Sequence, residues 1–163
     1  IVRRVGRCLP ILGVVLSPVP STTWFGCKEC VPATRLTAEA IELISVKPNS
    51  LDDPTRLVAS GSHRGERDET FAASLGKFDL VRMGSSLKAC VVAEGTADLY
   101  PRFGPTSCWD IAAAHAVVEA AGGLVLNPEG ITLDYDLVED VLNPYFLVAG
   151  DNRWTEDWIK SNY

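Results

Sequence analysis

The chain has 163 residues, of which 47% are hydrophobic and 22% are charged. This length and composition are typical of one globular domain with a substantial core, and they exclude a disordered protein. The formal net charge of −6 at pH 7 disfavours a general nucleic-acid binder, which would need a basic face. It leaves open a small anionic ligand held by a local cluster of basic side chains.

The N-terminal segment combines three arginines with the apolar run LPILGVVL, as a signal peptide does. Pro10 and Gly13 interrupt this run, and no small-x-small cleavage site follows it. The run is also much shorter than the roughly 20 residues of a membrane-spanning helix. We therefore expect a buried strand over 11–16 and no transmembrane segment. Because residue 1 is Ile, we expect the chain to begin inside a larger protein.

The cysteines are odd in number and scattered, which is more typical of a reducing compartment than of a disulfide framework. They are Cys8, Cys27, Cys30, Cys90 and Cys108. A zinc site around the C-x-x-C pair would need a second pair or neighbouring histidines, and the sequence has only His63 and His115. Structural zinc and a redox pair are both disfavoured, and we expect a cytoplasmic protein.

The chain divides at about residue 57. Before it, we expect a strand, a Pro-rich turn and a short strand over 1–30, then a polar connector over 31–56. After it, strands are predicted in LVAS, DLVRM, ADLYPRF, GLVLN and YFLVAG. A loop followed by a helix is predicted in SHRGERDETFAASL, and helices are predicted in SSLKACVVAE, DIAAAHAVVEAA and RWTEDWIKSNY. This alternation predicts a layered α/β fold with a largely parallel or mixed sheet.

Three short segments carry residues suited to a phosphate. GSSLK at 84–88 offers a glycine, two hydroxyls and an ammonium where a strand passes into a helix, a combination that favours phosphate. Its alternative is a Ser N-cap beside a solvated Lys. Arg102 ends a strand, where its guanidinium would bind a phosphate with two hydrogen bonds. The alternative for Arg102 is a surface salt bridge.

The third segment is CWDIAAAHAVVEAAGG, in which one carboxylate, Asp110, stands in the first turn of an apolar helix. A first-turn carboxylate interacts favourably with the helix dipole, and a metal ligand would show the same pattern. Thr106 and Ser107 are good caps, so Asp110 is not required for capping. We expect His115 to be packed within the fold rather than to bind a ligand. His63, in a loop after a strand, is a candidate substrate contact.

CWDIAAAHAVVEAAGG resembles the second signature of the inositol monophosphatase superfamily. GSSLKACVVAEGTADLYPRFGPTSCWD resembles its 3′(2′),5′-bisphosphate nucleotidase branch, the CysQ type. The resemblance extends from about Leu57 to Phe146 and is weaker over 9–56. It implies a layered α-β sugar-phosphatase-like fold. Residues 57–163 would form the C-terminal lobe, a mixed sheet flanked by helices, and 1–56 a remnant of the N-terminal lobe strands plus a connector.

The resemblance also implies magnesium-dependent hydrolysis of a phosphate ester. Inositol monophosphatases typically carry Glu where this chain has Arg102, and Arg suits a second phosphate. The implied reaction converts adenosine 3′,5′-bisphosphate into AMP and phosphate. The residues predicted to bind this substrate are His63, Gly84, Ser85, Ser86, Lys88, Arg102 and Asp110. Asp110 is also the predicted metal ligand.

The sequence departs from the family pattern at the first signature, D-P-x-D-G-T. Its only Asp-Pro pair, Asp53-Pro54, does not match, and the upstream Glu of the metal site has no counterpart. The chain therefore resembles the C-terminal portion of the enzyme, and we expect negligible hydrolysis from it alone and no catalytic group of its own. We also expect exposed apolar surface and self-association into a homo-oligomer. The alternatives are an inositol or sugar monophosphatase of the superfamily and a non-catalytic phosphonucleotide-binding half-domain.

Overall fold

The computed structural model describes residues 2–4, 7–59, 65–135 and 140–163. The strands in this part are β1 (Val2–Arg4), β2 (Arg7–Leu9), β3 (Leu12–Pro18), β4 (Ser21–Cys27), β5 (Val31–Thr37), β6 (Ile41–Leu43), β7 (Thr55–Ala59), β8 (Phe78–Arg82), β9 (Leu99–Arg102), β10 (Leu124–Leu126) and β11 (Phe146–Ala149). The helices are α1 (Glu66–Ser74), α2 (Leu87–Ala93), α3 (Cys108–Ala120) and α4 (Thr155–Lys160).

The strands form a four-stranded antiparallel sheet, a five-stranded mixed sheet and the small β1–β2 hairpin. The four-stranded sheet has the order β3-β4-β5-β6. The mixed sheet has the order β10-β11-β9-β7-β8. In it β7 runs parallel to β8 and β9, whereas β11 runs antiparallel to β9 and β10.

The helices arrange these sheets in layers. α3 packs on β3 and β4 with one side and on β10 with another, and α2 lies against α3 and β9. These two helices therefore fill the space between the sheets, where one core cluster forms. α1 and α4 contact each other and contribute Phe71 and Trp158 to a second cluster with the mixed sheet. The predicted layered α/β fold with a mixed sheet is confirmed.

Close approach of α3 to the four-stranded sheet depends on small residues. A Cβ on Gly13 would overlap the carbonyl oxygen of Ala113 and lie 3.0 Å from the Cβ of Ala116. A Cβ on Gly26 would lie 2.8 Å from the Cβ of Ala120. The alanine-rich sequence of α3 and the two strand glycines therefore fit one another, and they fix the height of α3 above the sheet.

The first 56 residues differ from the sequence predictions in three ways. Residues 31–56 contain β5 and β6 and are not only a polar connector. The strand predicted over 11–16 exists as β3, but alternate residues are exposed, so only one face is buried. Cys27 and Cys30 are joined as a disulfide across the β4–β5 turn, where the sequence disfavoured any such bridge.

No helix within the described ranges is both long enough and apolar enough to cross a membrane. The longest of the four described helices, α3, has 13 residues.

Candidate substrate site

The candidate site forms at the carboxyl end of β9. Tyr100 and Arg102 lie on the same side of this strand, because strand residues two positions apart share a face. The loop that follows surrounds the Arg102 guanidinium: Nη2 donates to the carbonyl oxygen of Pro105 at 3.3 Å, and a Cβ on Gly104 would lie 3.2 Å from the Arg102 Cζ. Glycine at 104 therefore leaves room for the guanidinium.

Lys88, from the first turn of α2, lies across Tyr100. Its side chain is buried, and its Nζ is 5.1 Å from the centroid of the Tyr100 ring. Burial lowers the pKa of Lys88, and the positive charge of Arg102 lowers it further. The two cations are therefore close enough to repel each other.

Neither cation is paired with a carboxylate in the described part of the chain, where every ion pair involves other residues. The Nε of Arg102 is also buried without a hydrogen-bond partner among these residues. Two neighbouring cations, one of them with a buried N–H group that lacks a partner, are unfavourable unless an anion lies near them. The arrangement therefore favours binding of a phosphate.

The segment before α2 holds the three other residues predicted around Lys88. Gly84 and Ser85 are exposed, and Ser85 adopts a φ of 55°, a left-handed conformation that costs energy in a residue other than glycine. Ser86 occupies the N-cap position of α2, but its side chain makes no capping hydrogen bond. Ser86 therefore lies at the position expected of a cap, but its hydroxyl does not cap the helix.

Ser107 is the N-cap of α3, in agreement with the prediction that Asp110 is not required as the cap, and Asp110 adds a reciprocal bond from the third helical position. Its Oδ2 accepts a hydrogen bond from the Ser107 N–H at 2.7 Å, closing the N-terminus of α3. Val141 also holds this end of the helix, because its carbonyl oxygen accepts a hydrogen bond from the Cys108 N–H at 2.8 Å. Asp110 is exposed, so its carboxylate is accessible from solvent.

The charges of these groups converge on Tyr100. Burial raises the pKa of Tyr100 to about 12; the positive charge of Arg102 opposes this shift, and the carboxylates of Asp110 and Asp68 add to it. Lys88 therefore lies over the Tyr100 ring, and the charges of Arg102 and Asp110 are near enough to affect the Tyr100 hydroxyl. Sequence reasoning did not assign a role to Tyr100, although its position two residues before Arg102 on one strand was a usable signal.

The two histidines differ in what the structure says of them. His63 lies outside the described residues, and its predicted role remains a prediction. His115 is fully buried, and its Nδ1 is 2.8 Å from the hydroxyl of Tyr135. The structure therefore places His115 as a packed side chain, as expected from its apolar helix.

A magnesium centre needs oxygen ligands in near-octahedral geometry, usually one or two carboxylates together with substrate phosphates and water. Within 2–4, 7–59, 65–135 and 140–163, no three His, Cys, Asp or Glu side chains are grouped so that they could hold a metal ion. Asp110 already uses one oxygen in the cap. These residues alone do not fit such a centre, and no catalytic step follows from them.

Three cavities, of about 240, 250 and 320 Å³, are lined by residues other than Lys88, Arg102 and Asp110. The first borders residues outside the described ranges, because Tyr135 and Asp140 both line it. The candidate site is therefore identified by its unpaired cations and not by a cavity.

Residues 6–161 match the inositol monophosphatase family. With the layered fold and the site at the end of β9, this match shows that the chain belongs to that family. The family resemblance predicted from the two sequence signatures is confirmed.

Among curated proteins, the chain is 42% identical over 140 residues to the 3′(2′),5′-bisphosphate nucleotidase CysQ of Salmonella typhimurium, covering 86% of this chain and 55% of that protein. It is 41% identical to the protein of the same name from Escherichia coli K12, with the same coverage of both chains. The chain thus spans about half the length of these relatives.

Among solved structures, CysQ from Bacteroides thetaiotaomicron matches with a TM-score of 0.78 and 35% identity, over 88% of this chain and 59% of that chain. An inositol monophosphatase from Zymomonas mobilis matches with a TM-score of 0.72 and 23% identity, over 95% of this chain and 58% of that chain. The second match shows the shared fold alone.

Proposed function

We propose that this chain carries the substrate-binding half of a magnesium-dependent 3′(2′),5′-bisphosphate nucleotidase. The reaction is hydrolysis of adenosine 3′,5′-bisphosphate, in which water cleaves the bond between phosphorus and the 3′-oxygen and leaves AMP and inorganic phosphate. The observation that carries this proposal is the pair of neighbouring cations, Lys88 and Arg102, without a carboxylate partner in the described residues. Similarity to the CysQ proteins supports the same assignment.

The cation pair accounts for a substrate with two phosphates. One phosphate of the substrate must lie where its ester bond is cleaved. The other phosphate only anchors the substrate, and cations held in fixed positions suit that role. Arg offers a planar fork that matches phosphate oxygens, and Lys adds a compact charge beside it. Lys88 and Arg102 would hold the 5′-phosphate in this way. Gly84, Ser85 and Ser86 would lie beside it, and His63 would approach the adenosine.

Asp110 would supply one metal ligand in the complete enzyme. A bound magnesium would stabilise charge on the phosphate being cleaved. Because the described residues do not provide the remaining ligands, we expect negligible phosphate release by the chain alone. Phosphate release from adenosine 3′,5′-bisphosphate by this chain with magnesium, well above a no-protein control, would contradict that expectation.

The second candidate function is a non-catalytic phosphonucleotide-binding half-domain, favoured by the absence of a three-ligand metal group in the described ranges. It predicts the same binding but no need for other parts of a longer protein. The coding sequence upstream of Ile1 separates the two: a continuous frame encoding D-P-x-D-G-T supports the nucleotidase. An inositol or sugar monophosphatase is less compatible, because Arg102 would face hydroxyls and not a phosphate.

The decisive experiment is calorimetric titration of adenosine 3′,5′-bisphosphate into the chain, with and without magnesium. We expect binding that does not require magnesium and that weakens at least tenfold in Lys88→Ala and in Arg102→Ala, since each removes a charged hydrogen bond. Lys77→Ala, on an exposed turn before β8, is the matched control and should bind as the unmodified chain does. Equal binding by all four proteins would contradict the proposed cation pair.

A further inference from the structure

Tyr100 has features that the proposed reaction does not use. It is buried in the middle of β9, opposite Val148 of β11. Its ring packs against Phe146 in a T-shaped arrangement, with centroids 5.8 Å apart and planes at 87°. The ring is therefore fixed by two strands, and one of its faces remains for the Lys88 ammonium.

The Lys88 ammonium lies over this ring. Lysine is a flexible side chain with a strongly hydrated charge, so a buried lysine needs something to hold its ammonium in place. The described residues offer it no carboxylate. They do offer the Tyr100 ring, with Nζ 5.1 Å from its centroid, within the range of a cation–π contact.

We infer that Tyr100 is a positioning residue, whose ring holds the Lys88 ammonium beside Arg102 so that both cations meet the 5′-phosphate of the substrate. This inference rests on the proposed function. The ring, and not the hydroxyl, positions the ammonium, because Lys88 lies over the ring. With its pKa raised to about 12, the hydroxyl stays protonated at neutral pH and brings no negative charge to the anion site.

Two variants separate the ring from the hydroxyl. Tyr100→Phe keeps the aromatic face and should behave as the unmodified chain, whereas Tyr100→Leu removes the face. A cation–π contact of this kind corresponds to roughly tenfold in affinity. Tyr100→Leu should therefore bind adenosine 3′,5′-bisphosphate about tenfold more weakly. It should bind adenosine 3′-monophosphate, which lacks the 5′-phosphate, as the unmodified chain does.

A variant that only loses stability should not change the preference for the bisphosphate over the 3′-monophosphate. Phe146→Leu is the matched control, because it removes the other ring that packs against Tyr100 and leaves the Tyr100 ring in place for Lys88. We expect it to lower the unfolding temperature as Tyr100→Leu does, while the ratio of the two affinities stays within twofold of the unmodified value. Circular dichroism of each variant confirms that folded protein is being compared.

The test that needs no ligand is the chemical shift of the Lys88 ε-methylene protons. The chain has five lysines, and Lys88→Arg assigns the signal. A ring face shifts these protons upfield, so we expect an upfield signal in the unmodified chain and in Tyr100→Phe and its loss in Tyr100→Leu. An unshifted signal in the unmodified chain overturns the inference, whether or not the ligand binds.

The binding measurements give the remaining outcomes. An upfield signal together with unchanged bisphosphate affinity in Tyr100→Leu also overturns the inference, while the proposed function stands. An unmodified chain that binds neither nucleotide contradicts the role of Tyr100 in substrate binding and the proposed function together. In that case an upfield Lys88 signal still supports the ring as the holder of the ammonium, so the two failures remain distinguishable.

Discussion

At the scale of single residues, Asp98 is a buried charge whose carboxylate accepts four hydrogen bonds. It is fully buried, and its carboxylate accepts hydrogen bonds from the Asn49 N–H at 3.0 Å and from the Arg56 N–H at 2.7 Å. The Arg56 guanidinium adds a bond to each carboxylate oxygen, at 3.1 and 2.8 Å. Burial acts to raise the pKa of Asp98, but the bonds with Arg56 and Asn49 outweigh it and hold the pKa below its usual value.

Asp98→Ala should lower the free energy of unfolding by about 3–5 kcal/mol, because it leaves the partly buried Arg56 unpaired. Urea denaturation followed by circular dichroism measures this loss. Asp151→Ala is the control, since the Asp151–Arg153 pair is about 30% exposed, and exposed pairs contribute less than about 1 kcal/mol. A loss in Asp98→Ala no larger than in the control would show that the buried pair does not stabilise the fold.

His115 predicts a pH dependence of stability. Burial, with a smaller effect from the charge of Lys28, lowers the pKa of His115 to about 3, whereas an unfolded histidine has a pKa of about 6.5. The unfolded chain therefore binds a proton first as pH falls, so stability is lost below about pH 6.5. We expect about 1 kcal/mol per pH unit between pH 6 and pH 5. His115→Gln should reduce this slope in urea denaturation; equal slopes would mean that another group is responsible.

At the scale of elements, the contact between α3 and β3 decides where Asp110 lies. Gly13→Ala would place a methyl group against the backbone of Ala113, and neither the strand nor a 13-residue helix moves easily. We expect a loss of about 3 kcal/mol in unfolding free energy, at the upper end for overpacking. Gly84→Ala, with no atom within 4 Å of the new Cβ, should change stability little. Similar unfolding midpoints for the two variants would contradict this packing.

The helices and strands also show which sequence signals are sufficient to predict an element. Strong helix formers, a capping residue and a closing Gly-Gly predicted α3 correctly, because these signals are local. β5 and β6 were missed, because their sequence mixes Thr, Pro and Glu, and their pairing is set by neighbouring strands. β3 was found, but its exposed residues were not, because an apolar run does not reveal which face has a partner.

At the scale of the whole molecule, the candidate site too could be predicted only in part from the sequence. Sequence signatures supplied Lys88, Arg102 and Asp110. The structure places Lys88 over the Tyr100 ring, and the charges of Arg102 and Asp110 act on the pKa of that tyrosine. Their roles remain predictions. Tyr100 was not predicted, because a tyrosine in a strand most often packs in the core. Only the fold shows that α2 lays a lysine across that ring.

The outer face of the four-stranded sheet carries no charged residue over two rows that cross all four strands. The first row is Val14, Phe25, Thr34 and Leu43, and the second is Leu16, Thr23, Leu36 and Ile41. Ile41 and Leu43 are 75% and 77% exposed. The sequence predicted exposed apolar surface, and this outer face is where the structure shows it. Thr23 is polar and Thr34 is buried, so the exposed apolar side chains of these rows lie on β3, β5 and β6. Exposed apolar side chains grouped in this way are unusual on a soluble monomer.

We therefore expect the isolated chain to associate through the outer face. Sedimentation velocity should show a concentration-dependent increase in mass, and a hydrophobic dye should bind. The double variant Leu16→Glu with Leu43→Glu should remain monomeric, because it adds like charges to a chain of net charge −6 and makes burial of the face costly. Leu51→Glu, equally exposed at 84% but in the connector, should associate as the unmodified chain does. A monomer without dye binding at all concentrations would show that the outer face does not drive association.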